Sequence, residues 1–263
     1  MKKILLLAKN YFQISMAYPL SILIWILILF IEPIIMITVW QQVSKNGISL
    51  PLTLSQIISY YLLSTLYYRL TQVWSLGKIS KEIFKGNFLH FVLLPIHYFK
   101  IDFAHNIGLK VTRLIIIIPI FLLTIFLYRE NFVIQLSGKS SVLLILSLIT
   151  GFVLQSVLEN VLSLLAFWFE RMEKITELYS FFSSFLSGAL IPLVFFPREV
   201  AFLFNILPYR YFLSFPLEIT LGTLSDKEIV NGFFITFIWL VTLFLLYLNM
   251  YPKALKKYTG VGQ

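Results

Sequence analysis

Long apolar runs set the first limit on what this chain can fold into. Between residues 19 and 42 the only charged side chain is Glu32, in a stretch dominated by Leu and Ile. A helix needs about 20 mostly apolar residues to cross the hydrocarbon of a bilayer. Six segments meet that requirement: 19–42, 52–76, 107–128, 141–168, 175–195 and 228–250. Barrel strands would alternate apolar and polar residues over runs of about ten, and residues 22–31 and 114–123 do not alternate. The pattern predicts an all-α membrane protein with six transmembrane helices in one membrane domain, residues 1–263.

Composition agrees. The chain is 59% hydrophobic and 13% charged, against about 45–50% apolar and about 25% charged for a soluble domain. That excludes a cytosolic enzyme and a disordered chain. The absence of cysteine excludes disulfides, thiolate metal sites and cysteine nucleophiles. The net charge of +9 is explained by its distribution. Fourteen of the 21 Lys and Arg residues fall in the N-terminus, the loops 77–113 and 169–174, and the C-terminus. By the positive-inside rule both termini are cytoplasmic, and a nucleic-acid partner is not needed to account for the charge.

The N-terminus does not read as a signal peptide, because its first apolar run stops at Lys9 and Asn10 and no small-residue cleavage site follows. Residues 2–18 read as an amphipathic interfacial helix, with Lys2, Lys3, Lys9 and Asn10 toward headgroups and Leu5, Phe12 and Met16 inward. A frayed cytoplasmic tail is the alternative. In the loop after the second span, the stretch 78–85 has helical composition and ends at Gly86, suited to a left-handed helix stop. A charged tip with exposed Ile83 and Phe84 would be a docking surface for a cytoplasmic partner; a solvated loop with an interfacial helix fits the same residues. Between the fifth and sixth spans, residues 191–221 hold Pro192, Pro197, Pro208 and Pro216 yet stay strongly apolar. Proline at that spacing prevents one spanning helix, and irregular backbone at membrane depth must be buried or line a cavity. The expectation is a set of short broken helices re-entering the outer leaflet, as a gate or lid.

The run Ser187-Gly-Ala-Leu-Ile-Pro-Leu-Val-Phe-Phe-Pro197, with Asn205-Ile-Leu-Pro-Tyr209, Phe215-Pro-Leu-Glu-Ile-Thr-Leu-Gly222 and Ile83-Phe-Lys-Gly-Asn-Phe-Leu-His-Phe-Val-Leu-Leu-Pro95, resembles the membrane subunits of type-2 ABC exporters. The resemblance covers the whole chain. It implies a permease in a bacterial cytoplasmic membrane, working with a second permease, identical or homologous, and two copies of an ABC ATPase that holds the ATP and magnesium. It further implies that a coupling helix around Lys81, Glu82, Ile83, Phe84, Lys85, Gly86 and Asn87 touches the ATPase. Spans two and five would flank the route between permeases. Tyr60, Tyr61, Ser64 and Tyr67, with Ser180, Ser184 and Gly188, are then the candidate pathway walls; helix packing and an interfacial aromatic belt explain the same residues.

No catalytic site is legible. Gly138-Lys139-Ser140 matches the last three positions of a P-loop, but Val133 stands where its first glycine belongs. His90, His97 and His105 are too widely spaced for a helical metal site, so no metal or cofactor is expected in this chain. Glu32, Arg69 and Glu159 are charges inside spans. Depth favours pairing Arg69 with Glu159, since at 1.5 Å per residue they lie roughly 10 Å and 14 Å from the cytoplasmic side. Arg69 snorkelling to headgroups, with Glu159 protonated or bonded to Gln155 or Ser163, is an equal reading. Few fixed charges in the spans point to an amphiphilic or lipid-like cargo. The rival is an ion-coupled secondary transporter using Glu32 and Glu159, which favours an internal repeat that the halves of this chain lack.

Overall fold

A computed structural model describes residues 2–16, 19–47, 50–169 and 172–258. The Glu32 side chain, and those of Lys2, Lys3, Leu5 and Met16, lie outside the described residues. Every described element is helical. In chain order they are α1 (Lys2–Met16), α2 (Pro19–Lys45), α3 (Leu54–Thr71), α4 (Leu76–Phe84), α5 (Phe88–Leu93), α6 (Tyr98–Leu127), α7 (Gly138–Ser163), α8 (Glu173–Leu186), α9 (Arg198–Ile206), α10 (Ser214–Leu221) and α11 (Asp226–Lys257). Short 3-10 turns cover Leu164–Phe167, Leu193–Phe195 and Pro208–Phe212. Among the described residues, Gly138–Phe167 and Asp226–Lys257 are long and apolar enough to cross a membrane. Tyr98–Ile115 with Ile117–Leu127, bent by 43°, makes a third if the pair is one span.

Local chemistry sets the helix boundaries. Thr53 and Gln56 form a capping box at the start of α3, and Ser225 and Glu228 do the same for α11, satisfying N–H groups that the first turn leaves over. Ser137 caps α7 by accepting from Ser140 N, so the fragmentary P-loop match is the start of a helix. The core is the inward face of α3, α7 and α10, with Ile57, Ile58, Leu154, Leu213 and Leu217 inaccessible or nearly so. α1 crosses α6 at Gly108, where a Cβ would stand 2.5 Å from the Ala8 carbonyl oxygen; the Tyr11 ring meets His105 edge-on at 4.7 Å. Lys9 and Asn10 are exposed and Phe12 half-buried.

Two helices depart from the segments predicted for them. The second predicted span, 52–76, is α3 and then a non-helical elbow at 72–75, from which α4 starts at once. The fifth predicted span, 175–195, stops at Leu186, about 21 Å of helix at 1.5 Å per residue. The cause is Gly188, at φ 86°. Its N–H bonds Phe185 O, and Ala189 N bonds Ser184 O, closing the last turn with a residue in the left-handed region. Beyond it the expected broken segment is present as two 3-10 turns, α9 and α10. Each of its prolines sits beside the start of an element or in a first turn, where the missing N–H costs no intrahelical bond.

Candidate functional site

The elbow between α3 and α4 is where the polar chemistry concentrates. Gln72 N closes the last turn of α3 on Tyr68 O, and side chains from two other helices bind further backbone groups of the four non-helical residues. Lys110 Nζ, on α6, donates to Gln72 O at 2.6 Å and Arg69 O at 3.3 Å. Asn106, one turn earlier, accepts from Trp74 N at 3.0 Å. Glu159, on α7, accepts with Oε2 from Ser75 N at 2.8 Å and Leu76 N at 3.3 Å. A cation thus meets the carbonyl end of α3 and a carboxylate the N–H end of α4. Each is the favourable charge for that helix end.

Below this cap lies a second carboxylate. Asp102 is fully buried. Its Oδ2 accepts from Ser75 Oγ at 2.5 Å, Asn160 Nδ2 at 3.0 Å and Asn106 Nδ2 at 3.2 Å, while Lys78 Nζ stands 3.9 Å from Oδ1. Buried carboxylates survive where paired or hydrogen-bonded, and hydrogen bonds to a charged group contribute about 1.5–3 kcal/mol each. Ser75, Asn106, Asn160 and Gln155 are all buried. This node joins α4, α6 and α7.

Of the sequence-predicted residues, Glu159 is therefore a backbone acceptor. Its Oε1 takes a hydrogen bond from Gln155 at 3.2 Å, the alternative weighed for it, while Arg69 Nη1 is directed to Gln72 Oε1 at 2.7 Å. The coupling-helix residues are brought together on α4. Phe84 is 77% exposed, Lys81, Lys85 and Asn87 are exposed, and Glu82 is half-buried. Ile83 differs from expectation, being half-buried against the core. Gly86 adopts φ 72°, and Asn87 N bonds Glu82 O at 2.9 Å, the left-handed stop that its sequence predicts. A groove of about 540 Å³ separates α4 from α8, with Lys81, Phe84 and Lys85 on one wall and Glu173 and Glu177 on the other.

The predicted pathway residues separate into two groups. Tyr60, Tyr61, Ser64 and Tyr67 are buried; the three tyrosines bind the chain at and beyond Gly188, and Ser64 donates to Tyr61 O in its own helix. Tyr60 OH donates to Gly188 O at 2.8 Å and meets Ser214 Oγ at 3.0 Å; Tyr61 OH donates to Leu190 O at 3.0 Å; Tyr67 OH meets Thr220 Oγ1 at 2.9 Å. Tyr61, Ser64 and Ser184 share a cavity of about 60 Å³ with Arg69 and Pro33. Ser180 is exposed and donates to Thr176 O. Gly188 lies past the end of α8, so Ser180, Ser184 and Gly188 do not share one helical face. Among the described residues no group of three or more His, Asp or Glu side chains could hold a metal ion.

Sequence reading missed Asp102 and Asn106, which fall between the predicted spans 52–76 and 107–128, and Lys110, near the start of the latter. Their spacing of four along an apolar segment is the signal, because residues four apart share a helix face.

Compared with known families, residues 52–262 match the family described as ABC-2 family transporter protein. No curated protein matches the chain.

Proposed function

The chain belongs to the ABC-2 transporter family, and from that premise we propose that it is the permease subunit of an ATP-driven exporter of an amphiphilic or lipid-like cargo. A membrane component of this family is a transport element and not itself the catalytic one, and membership implies an ABC ATPase partner. The proposed assembly has two ATPase copies and a second permease, in a bacterial cytoplasmic membrane. The chain would cross it six times, through α2, α3, α6, α7, α8 and α11, with both termini cytoplasmic.

The observation that carries this reading is α4. It is a nine-residue helix with a basic, aromatic outer end and an inner end fastened by Glu159 and Asp102 into two further helices. Such a part suits the transfer of force from a cytoplasmic motor. Energy from ATP would move α4; spans two and five would part at the permease interface; the segment held by Tyr60, Tyr61 and Tyr67 would gate the outer exit. An apolar cavity of about 340 Å³ between α2, α3 and α6, lined by Ile34, Leu62, Phe121 and Leu127 among others, supports a cargo with alkyl chains. Glu159 is occupied as a helix cap, which speaks against the ion-coupled alternative.

The test is reconstitution of the purified complex in vesicles carrying a fluorescent phospholipid. The reading expects ATP-dependent, vanadate-sensitive movement of the probe between leaflets. Transport of a hydrophilic polymer with no lipid-linked carrier would overturn the cargo assignment.

A further inference from the structure

We propose that Glu159 and Asp102 are positioning residues of the transport cycle, clamping the first turn of α4 to α7 and α6 so that the three move as one piece. The inference rests on the proposed role of α4 as the ATPase contact. It adds the parts that carry motion inward from that helix.

Chain connectivity alone would not do so. The elbow at 72–75 is not helical; its backbone ties to the flanking helices are the end bonds Gln72 N to Tyr68 O and Lys78 N to Ser75 O, so α4 could swing about it like a hinged flap. At its other end α4 packs Ile83 against the core but leaves one side open: a Cβ on Gly86 would meet nothing within 4 Å, and Phe84 projects outward. The N-cap residue, Ser75, makes no side-chain bond to its own helix. Its hydroxyl goes to Asp102 on α6, and its N–H to Glu159 on α7. The usual local cap is thereby replaced by one from α7, 84 residues away in sequence. Asn160, from α7, and Asn106, from α6, converge on the same Asp102 oxygen. A push at the outer end of α4 therefore acts on a buried joint whose loss would leave charged and N–H groups unpartnered. Apolar packing of Leu76 and Ile79 would hold α4 near α7 as well, but packed surfaces slide where directed hydrogen bonds do not.

The chain has no cysteine, so spin labels can be placed at will in the complex co-purified with its ATPase. One pair, Ser80→Cys with Ile149→Cys, reports α4 against α7. A second, Ser80→Cys with Phe182→Cys, reports α4 against α8. In the native background, trapping with ATP and vanadate is expected to leave the first distance unchanged and to shift the second. In Glu159→Ala the first distance should shift or broaden on trapping, and in Glu159→Gln, whose amide oxygen still accepts both N–H groups, it should stay narrow. Ser75→Ala, which removes the hydroxyl's bonds to Asp102 and Asn106 and leaves the N–H bond to Glu159, should give an intermediate broadening and serves if Glu159→Ala does not assemble. A native α4–α7 distance that changes on trapping overturns the clamp, as does a Glu159→Ala or Ser75→Ala distribution identical to the native one. If no ATPase accompanies the chain, or trapping leaves the α4–α8 distance unmoved, the failure lies in the ATP-driven reading and the clamp falls with it.

Discussion

The Glu159 carboxylate and the Ser75 backbone N–H lie 2.8 Å apart across 84 residues of sequence. That contact makes the start of α4 a product of tertiary structure. Glu159→Ala leaves two buried N–H groups without their acceptor, at about 1–3 kcal/mol for each. The unfolding midpoint of the detergent-solubilised protein should fall by several degrees, with most of the loss recovered in Glu159→Gln. An unchanged midpoint in Glu159→Ala would contradict the assignment.

Gly86 and Gly188 both sit in the left-handed region, at φ 72° and φ 86°, but only one is crowded. A Cβ at Gly86 meets nothing within 4 Å, whereas at Gly188 it would stand 2.3 Å from Ser214 Oγ and 2.6 Å from Tyr60 OH. Gly86→Ala should cost only the backbone term, about 1–2 kcal/mol. Gly188→Ala should cost more, because it also displaces the hydroxyls that hold the broken segment. Thermal unfolding of the two variants side by side gives the ranking.

The all-helical character, the Gly86 stop and the proline-broken segment after α8 are legible in the sequence, because each follows from a local rule. The elbow is not. Its acceptors and donors come from Asn106, Lys110 and Glu159, and no window of sequence around 72–75 contains them. Asp102 was hidden for a related reason: Lys100 and two histidines give its surroundings a polar look, yet α6 already begins at Tyr98. Gly188 misled in the opposite direction. It lies inside the predicted span 175–195, yet its φ of 86° ends the helix.

The α1–α6 crossing depends on Gly108. Because a Cβ there would press within 2.5 Å of the Ala8 backbone oxygen, Gly108→Ala should lift α1 away. A single Ala8→Cys, 7% exposed in the native fold, would then react faster with a maleimide in the Gly108→Ala background. Equal rates would show that α1 accommodates the methyl group.

In the proline-broken segment, Arg210 Nη2 and Glu218 Oε2 form an ion pair at 2.5 Å, with side chains 15% and 17% exposed, and Arg210 also bonds Asn205. Arg210→Met strands a largely buried carboxylate, a loss of about 3–5 kcal/mol for an interior pair. Adding Glu218→Gln removes that uncompensated charge and should restore much of the stability. A double variant no more stable than Arg210→Met would argue that packing of the arginine stem, and not its charge, is what matters.

His97 offers a pH test. It caps α6 by accepting from Phe99 N through Nδ1 at 3.3 Å, beside Tyr251 at 4.3 Å. Burial, with Lys100 nearby, holds its pKa below the usual histidine value. The neutral form is thus favoured in the folded state. Its contribution is present above the unfolded pKa of about 6.5 and is lost as pH falls through the lowered folded value. His97→Asn keeps a capping acceptor without the titration, so its unfolding midpoint should drop less than the native one between pH 7.5 and pH 5, two settings that bracket about 6.5. Identical pH profiles would remove His97 from the account.

The central claim is that this chain is driven by a separate ATPase. Purification from its native membrane in mild detergent, followed by a vanadate-sensitive ATPase assay and mass spectrometry of the eluate, tests it most directly. The account predicts an ABC ATPase co-eluting with the chain and active with it. A stable chain that elutes alone and without ATPase activity in several detergents would contradict it.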